Sequence, residues 1–282
     1  MLHRHLWIQF ACFLVSALLM VELNNRNALI RVYSRMVAAA YIVLTCAACS
    51  SFADIASAII PLCAIASFLT LFNSYQDKGA AAWVFYSFLF LGIASMADVT
   101  MLFYVPLLWF LMLYSLASMS GRTFMASIIG LLTPYWFAIP YFLFTEDFAT
   151  PIAHFSSIAS WAPLHDISML GIGHAATLSL ILILALTGII HYQRTRFNDK
   201  IRNRMLFDCF MLTVGYTVAL IVAEPRHLDA LIRLLIVSTS PLIAHFIALT
   251  STKITNAAFL AIMAACVAVT LLNLYHVIWT PL

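Results

Sequence analysis

Long apolar runs alternate with short polar connectors along the chain. The runs cover about residues 6–23, 36–50, 55–73, 80–97, 100–117, 123–144, 170–190, 206–223, 230–250 and 255–275. Most approach the roughly 20 residues that a helix needs to cross the hydrocarbon core of a bilayer. None keeps the strict two-residue alternation of a barrel strand, and in hydrocarbon only helices and closed barrels satisfy their own backbone groups. The pattern predicts an all-α polytopic transmembrane helical bundle of about ten spans, a single integral membrane domain over residues 1–282.

Two blocks repeat within that pattern. Residues 36–73 and 80–117 are each broken near the middle by one carboxylate, in Ser51-Phe52-Ala53-Asp54 and in Ser95-Met96-Ala97-Asp98, with Pro61 and Pro106 following. Each block reads as a helical hairpin whose tight turn carries an Asp. Pro134 and Pro140 fall inside the sixth run and predict a kinked helix, by default simply packed and bent, with the lining of a cavity as the alternative. Thr150-Pro151 has the form of an N-cap followed by proline at the first helical position. It predicts a short helix lying on the membrane surface before Pro163, with an irregular loop as the alternative.

Composition closes off other classes. The chain is 64% hydrophobic and 9% charged, against about 45–50% apolar and about 25% charged in soluble domains, so no soluble core could hide it. A net charge of +3 spread over short connectors is no nucleic-acid signature. The six cysteines lie in or beside apolar runs, where a free thiol behaves as a small hydrophobe. Cys46-x-x-Cys49 stands alone, without the second pair or histidines that metal or redox work requires. Neither a metal set nor a cofactor motif is present.

Charge then sets an orientation. Of 14 Lys and Arg, eleven fall in alternate connectors: Arg26, Arg31, Arg35, Lys78, Arg122, Arg194, Arg196, Lys200, Arg202, Arg204 and Lys253. Arg4, Arg226 and Arg233 remain for the other side. Basic connectors stay in the cytoplasm, so both termini are expected outside. Trp7, Trp161 and Trp279 then fall near the outer boundary and Trp83 near the inner one, where indoles anchor. Residues 1–20 lack a convincing small-x-small cleavage site before Glu22 and read as a retained span.

Candidate chemistry follows from this arrangement. A carboxylate left in hydrocarbon costs at least a few kcal/mol, so Asp54 and Asp98 are either at the surface or functional. Each is placed to cap the helix that follows, accepting its free N–H groups, or to line a shared outward mouth as a catalytic candidate. Glu224-Pro225-Arg226-His227-Leu228-Asp229 is the densest ionisable cluster. Asp229 and Arg233 stand four apart and can pair. Arg226, Arg233 and the intervening His227 run against the charge bias, which makes them candidates for holding an anion such as a lipid phosphate, with a structural salt-bridge cluster as the alternative. His165-Asp166, with His154, Glu146 and Asp147, is a weaker acid–base or metal grouping. His245, alone in an apolar run, reads as a satisfied core residue. The basic connector 191–204 enforces topology or, alternatively, meets anionic lipid.

Two resemblances add to this. Leu71-Phe72-Asn73-Ser74-Tyr75-Gln76, Phe90-Leu91-Gly92-Ile93-Ala94-Ser95, and Arg122 followed by Gly130-Leu131-Leu132-Thr133-Pro134-Tyr135 resemble an uncharacterised family of inner-membrane proteins of Bacteroidota-type bacteria. That likeness implies a multi-pass protein of the bacterial cytoplasmic (inner) membrane and no activity. More remotely, spans two to six look like the transmembrane core of GT-C-type glycosyltransferases, which move sugars from polyprenyl-phosphate donors. Those enzymes use an acid in a large first outer loop, whereas the first connector here is short and basic. The expectation is a protein of cell-envelope assembly acting through membrane lipids or membrane-protein partners. A GT-C-like transferase with Asp54 or Asp98 as base, and a small-solute or lipid transporter, are the alternatives.

Overall fold

The computed structural model describes residues 2–48, 55–146, 148–159 and 171–279, and among them every regular element is helical. In chain order the α-helices are α1 (Leu2–Asn27), α2 (Met36–Ala47), α3 (Ile55–Leu71), α4 (Ala81–Ala97), α5 (Tyr104–Tyr114) and α6 (Gly121–Thr145). They continue with α7 (Ala149–Ala159), α8 (Ile172–Thr195), α9 (Ile201–Ala223), α10 (Leu228–Leu249) and α11 (Lys253–Trp279). Seven helical stretches, containing α1, α3, α6, α8, α9, α10 and α11, are long and apolar enough to cross a bilayer. The runs at α2, α4 and α5 form shorter apolar helices. At 1.5 Å per residue, the 12 residues of α2 reach only about 18 Å, short of a core about 30 Å thick.

The bundle is built around α10. Its hydropathic window is 89% buried, whereas those of α6 and α11 are each 11% buried. It packs against α2, α3, α8 and α9, with α1, α4, α5, α6 and α11 further out. A helix apolar on every side must be enclosed by others. Two of its hydroxyls are satisfied within the helix, because Ser238 and Ser240 donate to the carbonyls of Leu234 and Ile236 one turn back. Close approach to α8 depends on Gly188, where a Cβ would sit 2.8 Å from the backbone carbon of Leu242. On the rim, α4 and α6 meet through Gly92 and Gly130, the close contact that small residues permit between membrane helices.

The expected tandem hairpins are not packed as hairpins. α2 lies on α10 and α1, while α3 lies on α4 and α1. In the second block the reason is visible: Asp98 is extended (φ −147°, ψ 120°) and opens a five-residue 3-10 turn, Val99–Phe103, before α5 begins. That turn displaces α5 from α4 and carries it to α9. The Asp54 turn lies outside the described residues. α7 forms where the Thr150-Pro151 signal predicts a helix, starting at Ala149, two residues before Pro151, so that Thr150 lies inside it and not at its cap. α6 runs unbroken through Pro134 and Pro140.

The connectors gather into two groups. At one end, Arg31 pairs with Asp199, Asn203 donates to the carbonyl of Ala28 and Ser120 to that of Lys78, and Arg26 stacks on Trp83. This basic end also carries the Ser120–Thr123 capping box that starts α6. At the opposite end, contacts run between the 98–103 turn, the start of α8, α7 and the segment 224–229.

Candidate functional site

Asp98 sits at that second end. Its Oδ1 accepts the backbone N–H of Thr100 at 3.0 Å and the Thr100 hydroxyl at 2.6 Å. It is therefore the N-cap of the turn that follows, one of the two roles its spacing suggests. The same carboxylate takes His227 from across the bundle, with Nδ1 3.1 Å from Oδ1 and 3.2 Å from Oδ2. Burial works to raise the Asp98 carboxyl, but the bonds from His227 and Thr100 outweigh it and hold it below the ordinary carboxylate value. The pairing also orients the ring: Nδ1 carries the proton given to Asp98, so Nε2 points away from the carboxylate.

The three cationic candidates do not converge. Arg226 meets its near neighbour Glu224 at 3.3 Å. His227 belongs to Asp98. Arg233 turns inward, 7% exposed, beside a small cavity that it lines with Gln9, Tyr41, Thr45 and Ser57. Asp229, placed by spacing to meet Arg233, pairs with His174 of α8 at 3.0 Å. Cys49, Asp54, Asp147, Trp161, His165 and Asp166 lie outside the described residues. Of the proposed acid–base group, His154 and Glu146 are described. His154 reaches α4, where its Nε2–H donates to the carbonyl of Ser95 at 2.9 Å. The Ser95 hydroxyl in turn bonds the Tyr135 hydroxyl of α6 at 2.6 Å.

These bonds join α4, α6 and α7 beside a cavity of about 170 Å³, lined by Met96, Tyr135, Ala138, Ile139, Phe142, Thr150, Pro151, His154 and Phe155. The proline-bearing span thus lines a cavity, the alternative that its sequence offers. Among the described residues no group of three or more His, Cys, Asp or Glu is placed to hold a metal ion.

The other end holds a cluster that sequence reasoning missed. Asp199, the one acid of the basic connector, is fully buried, with Oδ1 2.8 Å from Arg31 Nε and Oδ2 3.2 Å from His245 Nε2. It joins the α1–α2 connector, the α8–α9 connector and α10. His191, Tyr192 and Phe207 pack their rings around His245. Two signals pointed to it: a lone carboxylate among bases, and a lone histidine in an apolar span with no partner nearby in sequence.

Seven candidate spans among the described residues, one of them an enclosed central helix, with ionisable groups held at the two ends, point to a membrane protein as the class. Compared with known proteins, the chain matches no family model, no curated protein and no solved structure.

Proposed function

We propose that the chain is a ten-span protein of the bacterial inner membrane, in which α2, α4 and α5 complete the count as short spans around which the bilayer thins, and that it serves cell-envelope assembly by holding lipid or membrane-protein partners at its Asp98 end. The clustering of basic connectors at the Asp199 end supports a cytoplasmic location for that end and an outward location for the Asp98 end and both termini. One observation carries the non-catalytic reading: Asp98 is engaged by Thr100 and His227. A general base needs access to a substrate proton. Asp98 faces no Arg in the ion pairs of the described residues, and the nearby cavity does not include it in its lining.

A GT-C-like transferase using a polyprenyl-phosphate-linked sugar is the second reading. It has one feature in its favour, the Asp98-oriented imidazole of His227 within the segment that carries Arg226. Transport has less, because the internal cavity lined by Ser67, Tyr104 and Thr213 is only about 30 Å³. Co-purification in mild detergent, with identification of bound lipids and proteins, tests the main reading. A defined lipid or protein partner recovered in stoichiometric yield supports it. Turnover of a polyprenyl-phosphate sugar that His227→Ala abolishes, with folding intact, overturns it in favour of the transferase.

A further inference from the structure

We propose that the cavity between α6 and α7 is a binding site for one acyl chain of a phospholipid in the leaflet at the Asp98 end. The inference deepens the lipid-partner reading above and rests on it. Three features of the cavity point to this occupant.

The first is chemistry. Met96, Ala138, Ile139, Phe142, Pro151 and Phe155 make most of its wall apolar. Apolar cavities of this size stay dry and accept apolar groups, whereas water requires two to four polar partners. At about 170 Å³ the site is far larger than the interior cavity of about 20 Å³ beside Arg233.

The second is position. α6 is a perimeter helix, and Trp136, Phe137, Tyr141 and Phe144, which flank the lining residues, are 65–90% exposed. In a membrane those faces meet lipid chains, so the opening faces a medium made of the proposed occupant.

The third is polarity and rigidity. Thr150 and His154 lie on α7, which the sequence places at the membrane surface, while Ala138 and Ile139 lie within the span. The site thus has a polar lip toward the headgroup level and an apolar floor. The Ser95–Tyr135 and His154–Ser95 bonds hold α4, α6 and α7 together at its edge. A cavity braced this way is preformed, which lowers the ordering cost of binding.

The test uses the full chain in nanodiscs containing a phospholipid with a diazirine in its acyl chain. After irradiation, adducts are mapped by mass spectrometry. Labelling concentrated between residues 135 and 155, with a several-fold loss in Ala138→Trp, is expected. Thr150→Trp, which narrows the lip without entering the span, is a second variant should Ala138→Trp fail to fold. Equal labelling of all perimeter helices, unchanged by either variant, overturns the proposal. So does labelling by a photoactivatable polyprenyl phosphate but not by the phospholipid. If the cavity does not label while the protein still co-purifies with a defined partner, the cavity assignment alone fails. If neither occurs, the broader functional reading fails with it.

Discussion

Asp199→Asn is the perturbation that most directly probes how the bundle is held. The Asp199 and His245 side chains are both fully buried, whereas that of Arg31 is 39% exposed. Breaking a buried pair by removing one partner costs about 3–5 kcal/mol when the remaining charge is trapped. Here the remaining groups are not equally trapped. Arg31 keeps access to water, so its loss is near the surface value of about 0–1 kcal/mol. His245 loses its Nε2 partner in an enclosed ring cage, at about 1–3 kcal/mol. The expected total is about 1–4 kcal/mol, or a fall in Tm of about 2–15 °C. Intrinsic tryptophan fluorescence during heating in detergent measures it. Arg31→Gln leaves the buried Asp199 carboxylate without its cation and should cost at least as much, and Asp199→Asn combined with His245→Leu should be less than additive, with a coupling above about 0.5 kcal/mol. A Tm for Asp199→Asn within about 1 °C of wild type, or strict additivity in the double variant, refutes the assignment of Asp199 as the joint of this end.

Other outcomes test other parts of the structure. Gly188→Leu forces α8 from α10 and should destabilise by about 1–3 kcal/mol in the same assay, whereas Gly215→Ala, with open space around its Cβ, should stabilise by up to about 1 kcal/mol. Because the Asp98 carboxyl is held low, its contribution is present above the ordinary carboxylate pKa of about 4 and lost as pH falls through the lower folded value. Melting curves through the acid range should show that loss in wild type and a flatter profile in Asp98→Asn. Glu146→Cys should react with a membrane-impermeant maleimide in intact cells and Tyr33→Cys only after permeabilisation; the reverse pattern sinks the proposed orientation.

Much of the fold was legible because hydropathy reports spans and needs no knowledge of partners. The α6 start was readable too, since the Ser120–Thr123 box is local. Packing order was not. Asp98 marked a turn correctly, but nothing in Ser-Met-Ala-Asp distinguishes a tight hairpin from a cap on a 3-10 turn that sends α5 elsewhere. The pairs Asp98–His227 and Asp199–His245 span 129 and 46 residues. A single sequence carries no signal for such separations, so each half reads as a separate oddity. Arg233 shows the same limit: i,i+4 spacing offered Asp229 as its partner, and tertiary packing gave Asp229 to His174.

The enclosed position of α10 also bears on biogenesis. The helix that contacts the most neighbours follows α2, α3, α8 and α9 in the chain, so these reach the bilayer before the surface they share has been made. Until residues 228–249 arrive, these earlier segments have only one another and lipid to lie against, and consolidation waits for α10. Nascent chains stalled before residue 228 should therefore remain loosely associated and open to membrane-quality-control proteolysis, and resistance should appear in one step once α10 is inserted.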